Sequence, residues 1–227
     1  NSQIIKKKKL NQWKKDIGRI FKNSSLDNSL KRELNYSIKK FKLKKKDFIS
    51  IIDGMLMDVK ENIQFPSSKK FQLYCERVAV AVGYLSIKIF GIHTKIGSHY
   101  AYELGMAFQI TNIVRDFKED LNNKRCYIPS EKFIENGLRK KLSDLTNNSE
   151  KIQSILQEML EDANKHFKKS DYLLKSLDQK KMIGSEIMKL FYKKIHGKMY
   201  KKKINYKKKI RLNFFDKVLI FFKFSFR

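Results

Sequence analysis

Apolar residues recur at intervals of three and four through nearly the whole chain, the period of a helix. Leu10, Trp13, Ile17 and Ile20 predict a first amphipathic helix. Leu30, Leu34, Ile38 and Phe41 predict a second, entered through the cap-forming stretch Ser24-Ser25-Leu26-Asp27. A third runs from about Asp47 through Ile51, Ile52, Met55 and Val59. Pro66-Ser67-Ser68 then opens a longer helix, Phe71 to Phe90, whose middle is the small-residue run from Val78 to Gly83. Such a run lets a neighbouring helix or a ligand approach closely. Gly91 and Gly97 bracket a turn before a helix from Ser98 to about Leu121, and Pro129-Ser130-Glu131 restarts the chain in a short helix ending near Gly137. Two long helices complete the pattern: Asn147 to Ser176, and one carrying Met182, Ile187, Phe191, Tyr192, Ile195 and Met199. With short connections and no internal repeat, these elements predict one antiparallel-rich α-bundle.

The C-terminus departs from this pattern. Residues 1–213 read as one domain and 214–227 as a distinct segment. Lys201 to Lys203 and Lys207 to Lys209 flank Ile204-Asn205-Tyr206, and Phe214 to Phe226 then mixes aromatics with Asp216, Lys217 and Lys223. The segment is too short and too charged to span a bilayer, which needs about 20 apolar residues. Two readings stand: an interfacial segment on an anionic leaflet, or a final helix docking its aromatic face on the core.

Composition narrows the function classes. The 227 residues are 41% hydrophobic and 12% aromatic, enough to build a core, so global disorder is excluded. Only 2 Pro and 9 Gly punctuate the chain, too few for an all-β sandwich or barrel. The net charge of +28 points to an anionic partner: nucleic acid, a membrane surface or a phosphorylated substrate. Most of the excess reads equally well as lysines scattered over solvated faces. The nucleic-acid reading rests on basic runs alone, without a groove-reading motif, and no nucleic-acid partner is expected. Cys75 and Cys126 read as packing thiols in a reducing compartment, and His93, His99, His166 and His196 show no metal-ligand spacing.

The sharpest chemical feature is the run from Gln109 to Asp120. On a helix, Asn112, Asp116 and Asp120 fall at i, i+4 and i+8, with Gln109 one turn earlier and Glu119 alongside. Like charges one turn apart destabilise a bare helix by about 0.2–0.5 kcal/mol, which a solvated face tolerates. The functional reading accounts for the whole stripe: paired carboxylates hold Mg²⁺ through one or two oxygens each and leave its other positions to water and phosphate. Arg115, Lys118, Lys124 and Arg125 are placed to neutralise phosphate charge that the metal does not cover.

Asn112 to Asp120, followed by Arg125-Cys126-Tyr127-Ile128-Pro129, resembles the second aspartate-rich signature of the squalene/phytoene synthases. Tyr74-Cys75-Glu76-Arg77-Val78-Ala79, ending in Val82-Gly83, is similar to the other signature of that family. The stretches Asp53 to Asp58, Leu85 to Gly91 and Tyr206 to Arg211 resemble the bacterial presqualene diphosphate synthase branch. The resemblance implies an all-α isoprenoid synthase-type helical bundle around a central cavity. It implies head-to-head condensation of two farnesyl diphosphates to presqualene diphosphate, with phytoene synthesis from geranylgeranyl diphosphate or a non-catalytic helical homologue as the alternatives. Asp116 and Asp120 would bind Mg²⁺ and act in catalysis. Gln109, Asn112 and Arg115 would orient the diphosphates, with Arg125 and Tyr127 beside them, while Tyr74, Arg77 and Tyr192 would face the cavity. A peripheral position on the inner face of the membrane fits prenyl products. Two departures stand out. Val80 replaces a small residue and is expected to narrow the cavity. The first aspartate-rich motif of the family has no counterpart here, Asp53 and Asp58 being five residues apart, so an N-terminal part carrying it is expected upstream of Asn1.

Overall fold

A computed structural model describes residues 2–24, 26–61, 63–201 and 210–225. The basic stretch 202–209, with Tyr206, lies outside the described residues. Helices account for almost all of the rest: α1 (Ser2–Phe21), α2 (Ser29–Lys40), α3 (Lys45–Glu61), α4 (Ser68–Cys75), α5 (Ala81–Ile89), α6 (Lys95–Asn122), α7 (Ser130–Glu135), α8 (Leu142–Asn147), α9 (Ser149–Leu174), α10 (Ile183–Lys201) and α11 (Phe214–Ser225). The predicted second, long and later helices are all present. The cap of α2 is Asn28, one residue past the predicted stretch, and its side chain accepts a hydrogen bond from the Lys31 amide at 2.9 Å.

The long helix predicted over 71–90 is continuous in path but is not one α-helix. A π turn, Glu76–Val80, separates α4 from α5. One extra residue rotates everything after it by about 100° relative to an uninterrupted α-helix, and such turns concentrate at functional sites.

The main core lies where α6 packs along α9, burying Ile110, Ile113, Val114 and Phe117 against Ile152, Ile155, Leu156 and Met159. A second cluster joins Ile87, Tyr100, Leu104, Phe167 and Met182, and a third holds α1–α3 together through Ile17, Ile20, Ile38, Ile52 and Leu56. Trp13 and Met55, expected on inward faces, are 40% and 49% exposed. The segment after α3 meets the segment after α6 in a short bridge: the Phe65 amide donates to the Cys126 carbonyl and the Cys126 amide to the Ile63 carbonyl, each at 2.9 Å.

Close approach of backbones fixes the helices beside the cavity. A side chain at Gly105 would meet Val80 Cα at 2.8 Å, so α6 lies directly on the π turn there. That contact corrects the expectation for Val80. Its side chain is buried against Gly105 in the α6–α9 core and does not line the cavity, so its bulk fills the space left by the glycine.

The C-terminal segment forms a helix that packs against the bundle. α11 docks on α10, with Asp216 buried among Lys194, Lys198 and the Asn213 amide, which donates to it at 2.9 Å. Asn213 in turn accepts from the Asp216 amide at 2.8 Å, a reciprocal cap. Phe214, Phe215, Leu219, Phe221 and Phe222 remain exposed.

Candidate active site

A cavity of about 320 Å³ runs between α5, α6 and α10. Its walls are mostly apolar, with Val78, Val82, Ile87, Leu104 and Phe108 among them, and Gln109, Asn112 and Tyr192 supply polar groups at one end. The small-residue run therefore does line a ligand-sized space, at Val78, Ala79, Val82 and Gly83. Tyr192 stacks on Phe108, with centroids 3.9 Å apart and 19° between planes.

Beyond that polar end, α6 carries the acidic stripe. Arg115 forks onto its neighbour Asp116, Nε to Oδ1 at 3.0 Å and Nη2 to Oδ2 at 2.7 Å. Asp120 stands one turn further. Burial, reinforced by the negative charges of Asp116, Asp58 and Glu119 and opposed by Arg125, pushes its carboxyl up to about 7. Two buried polar atoms have no hydrogen-bond partner in this region: Asn112 Oδ1 and Arg125 Nε. The stripe thus holds one carboxylate paired with Arg115 and a second, Asp120, raised by burial, beside an acceptor and a guanidinium with unused capacity. That donor set fits a hard divalent cation shared with a phosphate ligand. Among the described residues, no three His, Cys, Asp or Glu side chains already converge in a metal-holding arrangement.

Tyr74, Arg77 and Tyr127 are placed differently. None of them lines the cavity. Tyr74 and Tyr127 are buried, stacked on each other with centroids 4.8 Å apart, and both donate to Asp58: Tyr127 Oη to Oδ1 at 2.7 Å and Tyr74 Oη to Oδ2 at 3.2 Å. Burial and the nearby Asp58 charge push both phenols above their ordinary range. The register change at the π turn explains the separation, because it turns Val78 and Ala79 to the cavity while Tyr74 faces α3. Arg77 backs onto Gly54, where an added Cβ would come within 2.9 Å of Arg77 Cβ.

Asp58 is the residue that sequence reading missed. It belongs to the resemblance only as part of a shared helix, and its partners lie 16 and 69 residues away. Asp53, by contrast, leaves the site and pairs with Lys14 at 2.6 Å. Both cysteines are packing thiols: burial pushes Cys126 up to about 12 and raises Cys75 further.

Known proteins share this sequence and fold. The squalene/phytoene synthase family model matches residues 2–215. Presqualene diphosphate synthase of Zymomonas mobilis is 34% identical over 202 residues, which are 87% of this chain and 67% of that protein. The 15-cis-phytoene synthase of Pantoea ananas is 29% identical over 148 residues, 65% of this chain and 48% of that protein. The crystal structure of squalene synthase HpnC from Alicyclobacillus acidocaldarius superposes with a TM-score of 0.78 at 18% identity, covering 86% of this chain and 73% of that one. The chain spans 65–67% of the length of the presqualene diphosphate synthases it matches. The expected all-α architecture is therefore found, and the chain belongs to the squalene/phytoene synthase family.

Proposed function

We propose that the protein is a head-to-head prenyltransferase that condenses two farnesyl diphosphates to presqualene diphosphate. The observation that carries this reading is the junction of an apolar cavity with the stripe Asn112–Asp116–Asp120, flanked by Arg115 and Arg125. An amphiphile with an oily tail and a diphosphate head matches both halves. The similarity to presqualene diphosphate synthases supports this choice of substrate.

Asp116 and Asp120 are the groups that would hold Mg²⁺, which when bound supplies positive charge against the departing diphosphate. The Arg115 and Arg125 guanidiniums neutralise the remaining oxygens by charge-assisted hydrogen bonds, and the unpartnered Arg125 Nε gives one a donor. Asn112 and Gln109, at the polar end of the cavity, orient the head group. The allylic cation left behind lies among Val78, Val82, Leu104 and the stacked Phe108–Tyr192 pair, which exclude water and present electron-rich rings to positive charge. The alkene of the second substrate captures that cation, and loss of one proton from the resulting carbocation to the departed diphosphate closes the cyclopropane.

The test incubates the complete protein, including the part expected upstream of Asn1, with farnesyl diphosphate and Mg²⁺ and identifies the product by mass spectrometry. Presqualene diphosphate is the expected result, lost in Asp116→Asn and Asp120→Asn. Preference for geranylgeranyl diphosphate would assign the phytoene branch, and no product from either substrate would leave a non-catalytic homologue. Peripheral membrane contact is part of the same proposal. The exposed phenylalanines of α11, next to Lys217 and the α10 lysines, suit an anionic leaflet, and no helix among the described residues is long and apolar enough to cross a membrane.

A further inference from the structure

Asp58 has both carboxylate oxygens committed to phenols, at 2.7 Å to Tyr127 and 3.2 Å to Tyr74. A carboxylate has no hydrogen to give, so each tyrosine points its own hydrogen at Asp58 and has none left for a diphosphate. In this structure the pair therefore braces Asp58 and offers the site no free phenol hydrogen. What it supports is specific. Tyr127 is two residues past Arg125 on the segment that the Ile63–Phe65 bridge fixes, and the Gln64 side chain holds the Lys124 carbonyl of the same segment at 2.6 Å. Arg125 in turn is tied to the end of the acidic stripe, its amide donating to the Asp120 carbonyl at 2.8 Å. Delivery of Asp58 depends on Gly54, one turn earlier on α3: a Cβ there would meet Val78 Cγ1 at 2.6 Å, so only a glycine lets α3 come this close to the π turn.

We propose that Asp58 is a positioning residue of the condensation. It acts through Tyr127 and Tyr74 to hold Arg125 at the end of the acidic stripe, tying α3, α4 and the segment after α6 into one rigid support for the diphosphate-handling end of the cavity. The proposal rests on the prenyltransferase reading above. Asn at position 58 preserves shape and accepts one phenol, but presents hydrogens to the other and drops the charge-assisted bond.

The experiment measures kcat and KM for farnesyl diphosphate in the parent, Asp58→Asn, Tyr127→Phe and the double variant. Measurements are made well below each Tm, where near-UV circular dichroism shows every protein fully folded. Asp58→Asn is expected to lower kcat about ten- to a hundredfold, the range seen when outer-shell partners are removed, while KM stays within about threefold because tail burial sets it. The double variant should be no worse than the poorer single one, since both break the same link. A role confined to folding would leave kcat of the folded protein unmoved. Retention of more than a third of parental kcat in Asp58→Asn, or losses that multiply in the double variant, would overturn the proposal while the prenyltransferase reading stands. An active-site failure of the parent itself, with no product from any prenyl diphosphate, would overturn both.

Discussion

Two polar clusters sit at opposite ends of the same cavity, and they differ in how completely they are satisfied. At the far end, Tyr100 Oη lies 2.9 Å from Ser185 Oγ and donates to Glu186 at 3.3 Å, while the buried Lys189 ammonium sits 2.5 Å from Glu186 and 2.9 Å from Asp171. The charges there are paired with one another, although Lys189 Nζ makes no well-directed hydrogen bond of its own. At the other end, Asp120 is lifted to about 7, and Asn112 Oδ1 and Arg125 Nε have no partner. Burying polar groups without partners costs about 1–3 kcal/mol each, so the second cluster is sustained by the surrounding fold. The first cluster is structural and the second is built for something that arrives later.

This contrast can be broken by substitution. The largest effect is expected at the other end: Asp116→Asn or Asp120→Asn should lower turnover of farnesyl diphosphate by about a hundredfold or more, Asp120→Asn without lowering Tm. Next comes the satisfied end. Lys189→Ala strands Glu186 in the interior and should destabilise the fold by about 3–5 kcal/mol in urea denaturation, with the protein that remains folded still active.

A smaller effect follows from proton linkage. Asp120 titrates near 7 when folded, against an ordinary 3.8. Between those values the folded state holds the extra proton, so its stability falls as pH rises from about 4 and the loss is complete above about 7. Thermal melts of the parent should show that decline, and melts of Asp120→Asn should lack it. The smallest effect on the fold is expected at α11. Phe221→Ser with Phe222→Ser should shift Tm by less than about 1 °C, both residues being exposed, yet reduce co-sedimentation with phosphatidylglycerol vesicles.

Much of this was legible in the sequence for a physical reason. Helical periodicity is local, so the two helices that build the main core could be read from spacing alone as Ser98 to about Leu121 and Asn147 to Ser176. An acidic stripe in a chain of net charge +28 is conspicuous, and its first residue, Asn112, lines the cavity. What escaped was long-range or register-dependent. The π turn adds one residue without any composition signal, and it separates Tyr74 from the cavity wall. Val80 looked like an obstruction because its partner, Gly105, lies on another helix. Asp58 looked like a surplus carboxylate because the tyrosines it holds come from two other segments of the chain. Trp13 and Met55 followed the helical period but stand in solvent, since periodicity marks a face and not the presence of a neighbour.

The central claim, that the unsatisfied end awaits a metal and a diphosphate, is tested most directly by calorimetric titration with inorganic diphosphate, with and without Mg²⁺. The account predicts that binding requires Mg²⁺ and disappears in Asp120→Asn. It also predicts that the parent releases a proton on binding at pH 6, where Asp120 is still protonated, and none from this group at pH 8.5. Equal binding without the metal, or an Asp120→Asn variant that binds as the parent does, would contradict it.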